Sequence, residues 1–218
     1  MGIMAGKFVT FEGGEGVGKS TQVKMLAEKF RADGHDVYVT REPGGGVVGE
    51  SIRTVLKSFA NSMDPLCETL LLFAARRDHY VKIIEPKLRQ GSIVICDRFY
   101  DSSIVYQGML KKVPFEDIMI LKCMTVGDCE PDITIVLDID PEISIQRLAT
   151  RNLIPDEYDM MEKEKHNLIR EGFQRSATVF SFRSILVDAN GSEKKVFSRI
   201  IKAMENSSFH HLFSRDKV

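Results

Sequence analysis

The stretch GGEGVGKS, Gly13 to Ser20, sets four glycines, one lysine and one hydroxyl between an apolar run, KFVTFE, and a stretch of helical spacing, TQVKMLAEKF. It fits the pattern G-x-x-x-x-G-K-[ST], in the strand-loop-helix setting that pattern requires. Glycines let successive backbone N–H groups turn inward around an anion, and the N-terminus of the following helix adds positive dipole. Lys19 brings a point charge to the β- and γ-phosphates, and the Ser20 hydroxyl ligates Mg²⁺. The run from Gly13 through Gly14, Glu15, Gly16, Val17, Gly18, Lys19 and Ser20 to Thr21 is therefore expected to hold a nucleoside triphosphate, ATP.

A second anchor lies in SIVICDRFY, an apolar run ending in Asp97 and followed at once by Arg98. A carboxylate at the end of a buried strand beside a phosphate loop can hold the metal or its water, and an arginine there can grip a phosphate bidentately. The pair alone is equally compatible with a strand-end salt bridge. No guanine-specifying N-K-x-D occurs in the chain, which argues against a GTPase switch. The remaining basic residues, Arg41, Arg53, Arg76, Arg77 and Arg98, point to a second, anionic ligand that accepts the phosphate.

These residues need a scaffold. The 218 residues are 43% hydrophobic and carry 30 Lys+Arg against 31 Asp+Glu, enough to bury one substantial core, so a single domain over 1–218 is expected. A net charge of -1 leaves no electrostatic footprint for nucleic acid or an anionic membrane. No apolar run approaches the roughly 20 residues of a spanning helix. Cys67, Cys96, Cys123 and Cys129 lack metal-ligand spacing and read as reduced thiols of a cytoplasmic protein.

Apolar runs alternate with amphipathic stretches, the pattern of βαβ units around a parallel sheet. The strands expected are KFVTF, DVYVT, SIVICD, DITIVLDI and SILVD. Helices are expected over 20–33, 48–58, 65–90, 102–110, 114–126, 142–150, 160–180 and 193–205. REPGGGVVGE and RNLIPDEYDMM read as loops, and loops at the carboxyl ends of strands are where this architecture binds ligands.

The chain resembles the thymidylate kinases, a branch of the nucleoside monophosphate kinases. The likeness runs from FVTFEGGEGVGKSTQ through TREPGG, LLFAARRDH and DRFYDSSIVYQG to VLDIDPEISIQR. It implies a P-loop NTPase fold with a five-stranded parallel sheet of order 2-3-1-4-5, a small lid over about 147–160, and a homodimer. The implied reaction is the Mg²⁺-dependent transfer of phosphate from ATP to dTMP, giving dTDP for dTTP synthesis. The alternatives are another nucleotide kinase, or a nucleotide-binding regulator that kept the loop and lost the chemistry.

The resemblance also assigns roles. Glu15 resembles a contact to the deoxyribose 3′-hydroxyl, Tyr106 fills the space of a ribose 2′-hydroxyl, Ser103 meets the base edge, and Gln107 lines the sugar and base. Arg41 and Pro43 of REPGG belong to a turn over the acceptor, with a cis bond before Pro43, and Arg53 is a further phosphate candidate. Phe73 can stack on a pyrimidine face or sit in the core; in the family a Phe stacks on thymine and an Arg one turn later contacts a base carbonyl. Counting from Phe73 selects Arg77, whereas counting back from His79 and Pro86 selects Arg76 and puts Leu72 at the aromatic position. Both arginines stay candidates.

The loop residue after Glu15 is Gly16, so the charge that neutralises the moving phosphoryl is expected from the lid. Arg147 and Arg151 lie one helical turn apart and share a face, with Arg151 the preferred catalytic partner of Lys19 and Arg98. Beyond Arg151 the lid departs from the family by carrying Asp156, Glu157 and Asp159. EKEKHNLIREGFQR reads as a solvated charged face, and His210 and His211 are assigned nothing.

Overall fold

Five parallel strands form one sheet in the order β2-β3-β1-β4-β5, as the resemblance implies. They are β1 (Lys7–Glu12), β2 (Val37–Arg41), β3 (Ile93–Asp97), β4 (Ile133–Asp138) and β5 (Ser184–Asp188). This computed structural model describes residues 6–59, 62–150 and 162–207. The three central strands are apolar runs buried almost throughout, because helices cover both faces. The two edge strands, β2 and β5, mix buried with exposed positions.

Strand alternation divides the core in two. Val9, Phe11, Ile93, Ile95, Ile133 and Ile135 face α1 (Lys19–Ala32) and α9 (Glu193–Glu205), meeting Leu26, Phe30 and Ile200. Phe8, Val94 and Cys96 face the opposite way, toward Phe73, Tyr80, Leu88, Phe99 and Tyr100. That second layer is built from α3 (Pro65–His79), α4 (Glu85–Arg89), α5 (Tyr100–Ser103), α6 (Phe115–Val126) and α8 (Lys163–Val179), while α2 (Val47–Ser58) and α7 (Pro141–Ala149) flank the loops.

Local sequence explains most helix starts. Asp64 caps α3, its Oδ1 accepting from Leu66 N at 2.9 Å and Cys67 N at 3.1 Å, with Pro65 in the first turn. Asp140 caps α7 in the same way, accepting from Glu142 N at 2.9 Å. The single helix expected over 65–90 instead widens to π-helical turns over Tyr80–Ile84, where Glu85 N–H reaches the carbonyl of Tyr80. Pro86 follows directly; it has no N–H and its ring crowds the carbonyl four residues back. The helix expected from Ser102 starts two residues earlier and is π-helical over Ile104–Leu110.

The stretch read as a solvated charged face is solvated on one side only. His166, Ile169, Gly172, Phe173, Ser176 and Ala177 of α8 are buried against the π-helical segment and β4. A Cβ at Gly172 would lie 2.8 Å from Val105 Cγ1, so the glycine allows that close approach. Among the described residues no helix is long and apolar enough to cross a membrane, and the four cysteines are free thiols.

One charged group in the second layer carries no sequence signal. Arg183, 2% exposed, donates to Asp101 Oδ1 at 2.9 Å, to Tyr100 OH at 2.8 Å and to Thr134 Oγ1 at 2.6 Å. It joins β4 to the segment that carries the site arginine. Removing one member of a buried ion pair strands the other charge, so Arg183→Leu should cost about 3–5 kcal/mol in urea unfolding. A loss below about 1 kcal/mol, the value of an exposed pair, would show that Asp101 finds another partner.

Candidate active site

β1 delivers the phosphate loop, and Gly13 is its first residue after the strand, at φ +133°. A Cβ there would meet Leu137 O at 2.5 Å, and one on Gly16 (φ +70°) would meet Ser144 O at 2.5 Å. The loop therefore lies against the end of β4 and the start of α7 at distances that only glycine allows. Lys19 Nζ donates to Gly13 O at 3.0 Å and Gly14 O at 2.7 Å. Burial, then the charge of Arg98, lower its ammonium to about 8 against the pull of Glu15, Asp97 and Glu12.

The two residues expected to hold metal meet: Ser20 Oγ donates to Asp97 Oδ2 at 3.0 Å, because parallel pairing sets the end of β3 beside β1. Both donors are hard oxygens, and magnesium is bound by one or two such side chains together with water and substrate phosphates. No cluster of three or more His, Cys, Asp or Glu that could hold a metal occurs among the described residues.

Arg98 stands at the centre. Its backbone is left-handed, φ +73°. Its guanidinium donates to Gly13 O at 3.1 Å, Ser102 Oγ at 3.0 Å, Glu15 Oε1 at 2.8 Å and Tyr106 OH at 3.2 Å, and Tyr106 in turn donates to Glu15 Oε1 at 2.8 Å. Burial favours the neutral acid at Glu15, but the charges of Arg98 and Lys19 outweigh it and hold its carboxyl at about 2. Glu15, Tyr106 and Arg98, drawn from two distant segments, thus form one knot. Lys19 and Arg98 are both held by acceptors that a phosphate oxygen can replace.

A residue passed over in the sequence underlies this knot. Glu12, fully buried, accepts from Phe99 N at 2.7 Å and from Ser102 Oγ at 2.6 Å, so it fixes the turn that presents Arg98. Burial, then the charge of Asp101, push its carboxyl up to about 8. Its available signal was an acid ending an otherwise apolar strand, one residue before the loop.

On the acceptor side the structure separates the two adjacent arginines. Arg76 is buried; its Nε donates to Glu42 Oε2 at 2.7 Å, and Nη1 and Nη2 reach Ser103 Oγ at 3.3 Å and 3.2 Å. Arg77 is exposed and donates to Thr125 O of α6 at 2.8 Å, away from Ser103. Phe73 is 1% exposed in the core, with the Arg76 guanidinium 4.4 Å from its ring centre, while Leu72 stays partly buried one turn before Arg76. Gln107 donates from Nε2 to Glu68 Oε1 at 2.8 Å, another buried acid the sequence reading missed.

The bond before Pro43 is cis, as the resemblance implies. Arg53 donates to Pro43 O at 2.9 Å. Arg41 turns instead toward Glu50, at 2.8 Å, along an open groove of about 1100 Å³ between α1 and α2 that ends at Ser20 and Asp97. Arg147, at the end of α7, donates to Ala189 O at 3.2 Å and Gly191 O at 3.3 Å in the loop after β5. Arg151 and the rest of the expected lid up to residue 160 lie outside the described residues.

A parallel sheet with G-x-x-x-x-G-K-S between its first strand and helix, and an Asp-Arg pair ending the neighbouring strand, defines a P-loop phosphotransferase of the nucleoside monophosphate kinase class. Residues 11–200 match the family model described as Thymidylate kinase. The chain is 41% identical over 207 residues to the thymidylate kinase of Bradyrhizobium sp. (strain ORS 278), covering 94% of this chain and 92% of that one. It is 43% identical over 204 residues to the thymidylate kinase of Bradyrhizobium diazoefficiens, covering 92% and 90%. The crystal structure of thymidylate kinase from Ehrlichia chaffeensis is similar with a TM-score of 0.75 and 34% identity, over 91% of this chain and 98% of that one. The chain belongs to the thymidylate kinase family, ATP-dependent nucleoside monophosphate kinases that phosphorylate dTMP to dTDP.

The lowered ammonium of Lys19 has a measurable consequence. As pH rises through about 8 the neutral amine gains population, and a bound triphosphate favours the charged form, so binding should draw in a proton. Calorimetric titration of ATP at pH 8 in buffers of different ionisation enthalpy should show uptake of about half a proton, absent in Lys19→Arg. Equal proton counts for the two proteins would mean that Lys19 stays fully charged at that pH.

Proposed function

We propose that this chain transfers the γ-phosphoryl of ATP to the 5′-phosphate of dTMP with Mg²⁺ as cofactor, and that the knot of Arg98, Glu15 and Tyr106 is where the two substrates are brought together. That knot supports the reading because it ties the triphosphate loop to the acceptor side through one partly buried cation. Gly13 to Thr21 cradle the triphosphate and Lys19 reaches its terminal phosphates. Ser20 and Asp97 hold Mg²⁺, which when bound neutralises charge on the β- and γ-phosphates. Arg98 grips the acceptor phosphate, with Arg53 beside it. The nucleophile is an ionised phosphate oxygen, so no general base is needed and catalysis rests on position and prearranged charge.

Glu15 accepts from the sugar 3′-hydroxyl, and Tyr106, pinned between Arg98 and Phe173, leaves no room for a 2′-hydroxyl. Arg76 rather than Arg77 donates to the base carbonyl, with Ser103 and Gln107 at its edge; its burial beside Ser103 favours that choice. Phe73 supports Arg76 from below, and Leu72 stands nearer the ring. Lid charge comes from Arg151, with Arg147 holding the lid's first turn to the loop after β5.

A coupled assay with ATP and Mg²⁺ should give kcat/KM for dTMP at least about a hundredfold above dGMP, dCMP and AMP. Lys19→Ala should lower kcat by about 10²–10³ or more, with its far-ultraviolet dichroism unchanged. ATP binding without turnover on any of these monophosphates would favour the regulator instead.

A second copy of the chain is the proposed partner. Leu66 and Leu70 of α3 and Phe115, Ile120 and Met124 of α6 expose apolar side chains on adjacent helices, and Val55 and Phe59 extend the patch across α2. Light scattering should return twice the 24.6 kDa chain mass, and Met124→Glu should shift it to one. A wild-type chain that stays monomeric at assay concentration would remove the dimer from this account.

A further inference from the structure

Beneath Arg76 lies a relay of buried polar groups that no step above uses. Glu42 is 5% exposed. Burial opposes its ionisation, but Arg76 and His79 together lower its pKa, so it stands as an anion that can only accept hydrogen bonds. Its Oε2 takes Arg76 Nε–H at 2.7 Å, and its Oε1 lies 3.0 Å from His79 Nδ1. Nδ1 must therefore carry the proton of that bond. His79 Nε2 lies 2.7 Å from Thr40 Oγ1, so in the neutral ring Thr40 donates to it. The imidazole is 1% exposed, and a Cβ on Gly45 would come within 2.3 Å of Nε2, so the glycine-rich turn after Pro43 closes directly over the ring.

We propose that His79 is a positioning residue for recognition of the acceptor base, acting through Glu42 on Arg76; this rests on the reading above that Arg76 faces the base. The guanidinium is planar, and its Nε–H bond to Glu42 sets the rotation of that plane. Ser103 Oγ takes one bond from each terminal nitrogen and Phe99 O a further one from Nη2 at 3.3 Å, so the plane is held between these acceptors and Glu42. Glu42 in turn has a single orientation because its second oxygen is held by His79. Without His79, Glu42 can rotate and the donors of Arg76 lose their aim. Misplacement of a positioned group by about 1 Å can cost up to about a hundredfold.

The chemistry read by Arg76 makes this testable. Thymine presents a carbonyl acceptor at position 4 and cytosine an amino donor, so an arginine aimed there favours dTMP over dCMP. His79→Leu should raise KM for dTMP about tenfold and lower the dTMP-to-dCMP ratio of kcat/KM about tenfold. KM for ATP should not move. His79→Asn sets an amide N–H where Nδ1 stood and should restore most of the ratio.

Arg76→Met is the control. If it leaves the ratio at the wild-type value, Arg76 does not read the base, and the reading fails together with the relay. If it collapses the ratio while His79→Leu does not, the relay alone is wrong. A parallel rise in KM for ATP and dTMP in both His79 variants would mark a general folding role and overturn the proposal. Should His79→Leu fail to fold, His79→Gln replaces it, since it keeps the reach toward Thr40 and loses the donor to Glu42.

Discussion

One partly buried cation, Arg98, organises this molecule. Arg98 directly follows β3, the strand beside the central β1, with its guanidinium shared among a loop carbonyl, a serine, a tyrosine and a carboxylate. A desolvated guanidinium is costly unless all its donors are satisfied, and each acceptor here comes from an element that the reaction needs. Satisfying that charge places the phosphate loop, through Gly13 and Glu15, against the helical segment that carries Tyr106. The same arrangement holds the Glu15 carboxyl at about 2, so an anion and a cation stand side by side at the phosphate loop.

The scaffold is shaped by this demand. Left-handed backbone at a non-glycine residue is unfavourable, and Arg98 is held in it by Glu12, whose carboxyl grips the next residue's N–H and Ser102. Glu12 lies on the face of β1 that also carries Phe8 and Thr10, so strand alternation alone turns it toward the Arg98 side. Behind it, Arg183 and Asp101 fill the same layer with a second, fully buried pair. The layer facing α1 and α9 is mainly apolar, with Gln22 of α1 buried there and donating to Glu193 O at 3.0 Å. The fully buried ion pairs thus gather on the side of the sheet that carries Arg98.

Much of this was legible from residue types. The glycine spacing and Lys19-Ser20 announce the loop, an apolar run closing on Asp97-Arg98 announces its partner strand, and the alternation of β-rich and amphipathic stretches yields all five strands. The acids were the hard part. Glu12, Glu42 and Glu68 look like ordinary surface carboxylates in a chain that is 28% charged, yet they are 0%, 5% and 5% exposed. Their partners, both side chains and a backbone N–H, lie 34 to 90 residues away, and no local pattern records such a pairing.

Arg76 and Arg77 show where the boundary falls. Motif spacing by itself announces a triphosphate loop with its lysine and hydroxyl, because that function depends on local backbone geometry within a few residues, while the nucleotide-kinase reading comes from the resemblance. Which of the two arginines is buried beside Ser103 was decided only when α3 packed, since neighbours on a helix differ by about 100°. A single turn of that size sends Arg77 to α6 and buries Arg76 against Glu42, where an ion pair in a water-poor interior outweighs anything the chain could specify locally.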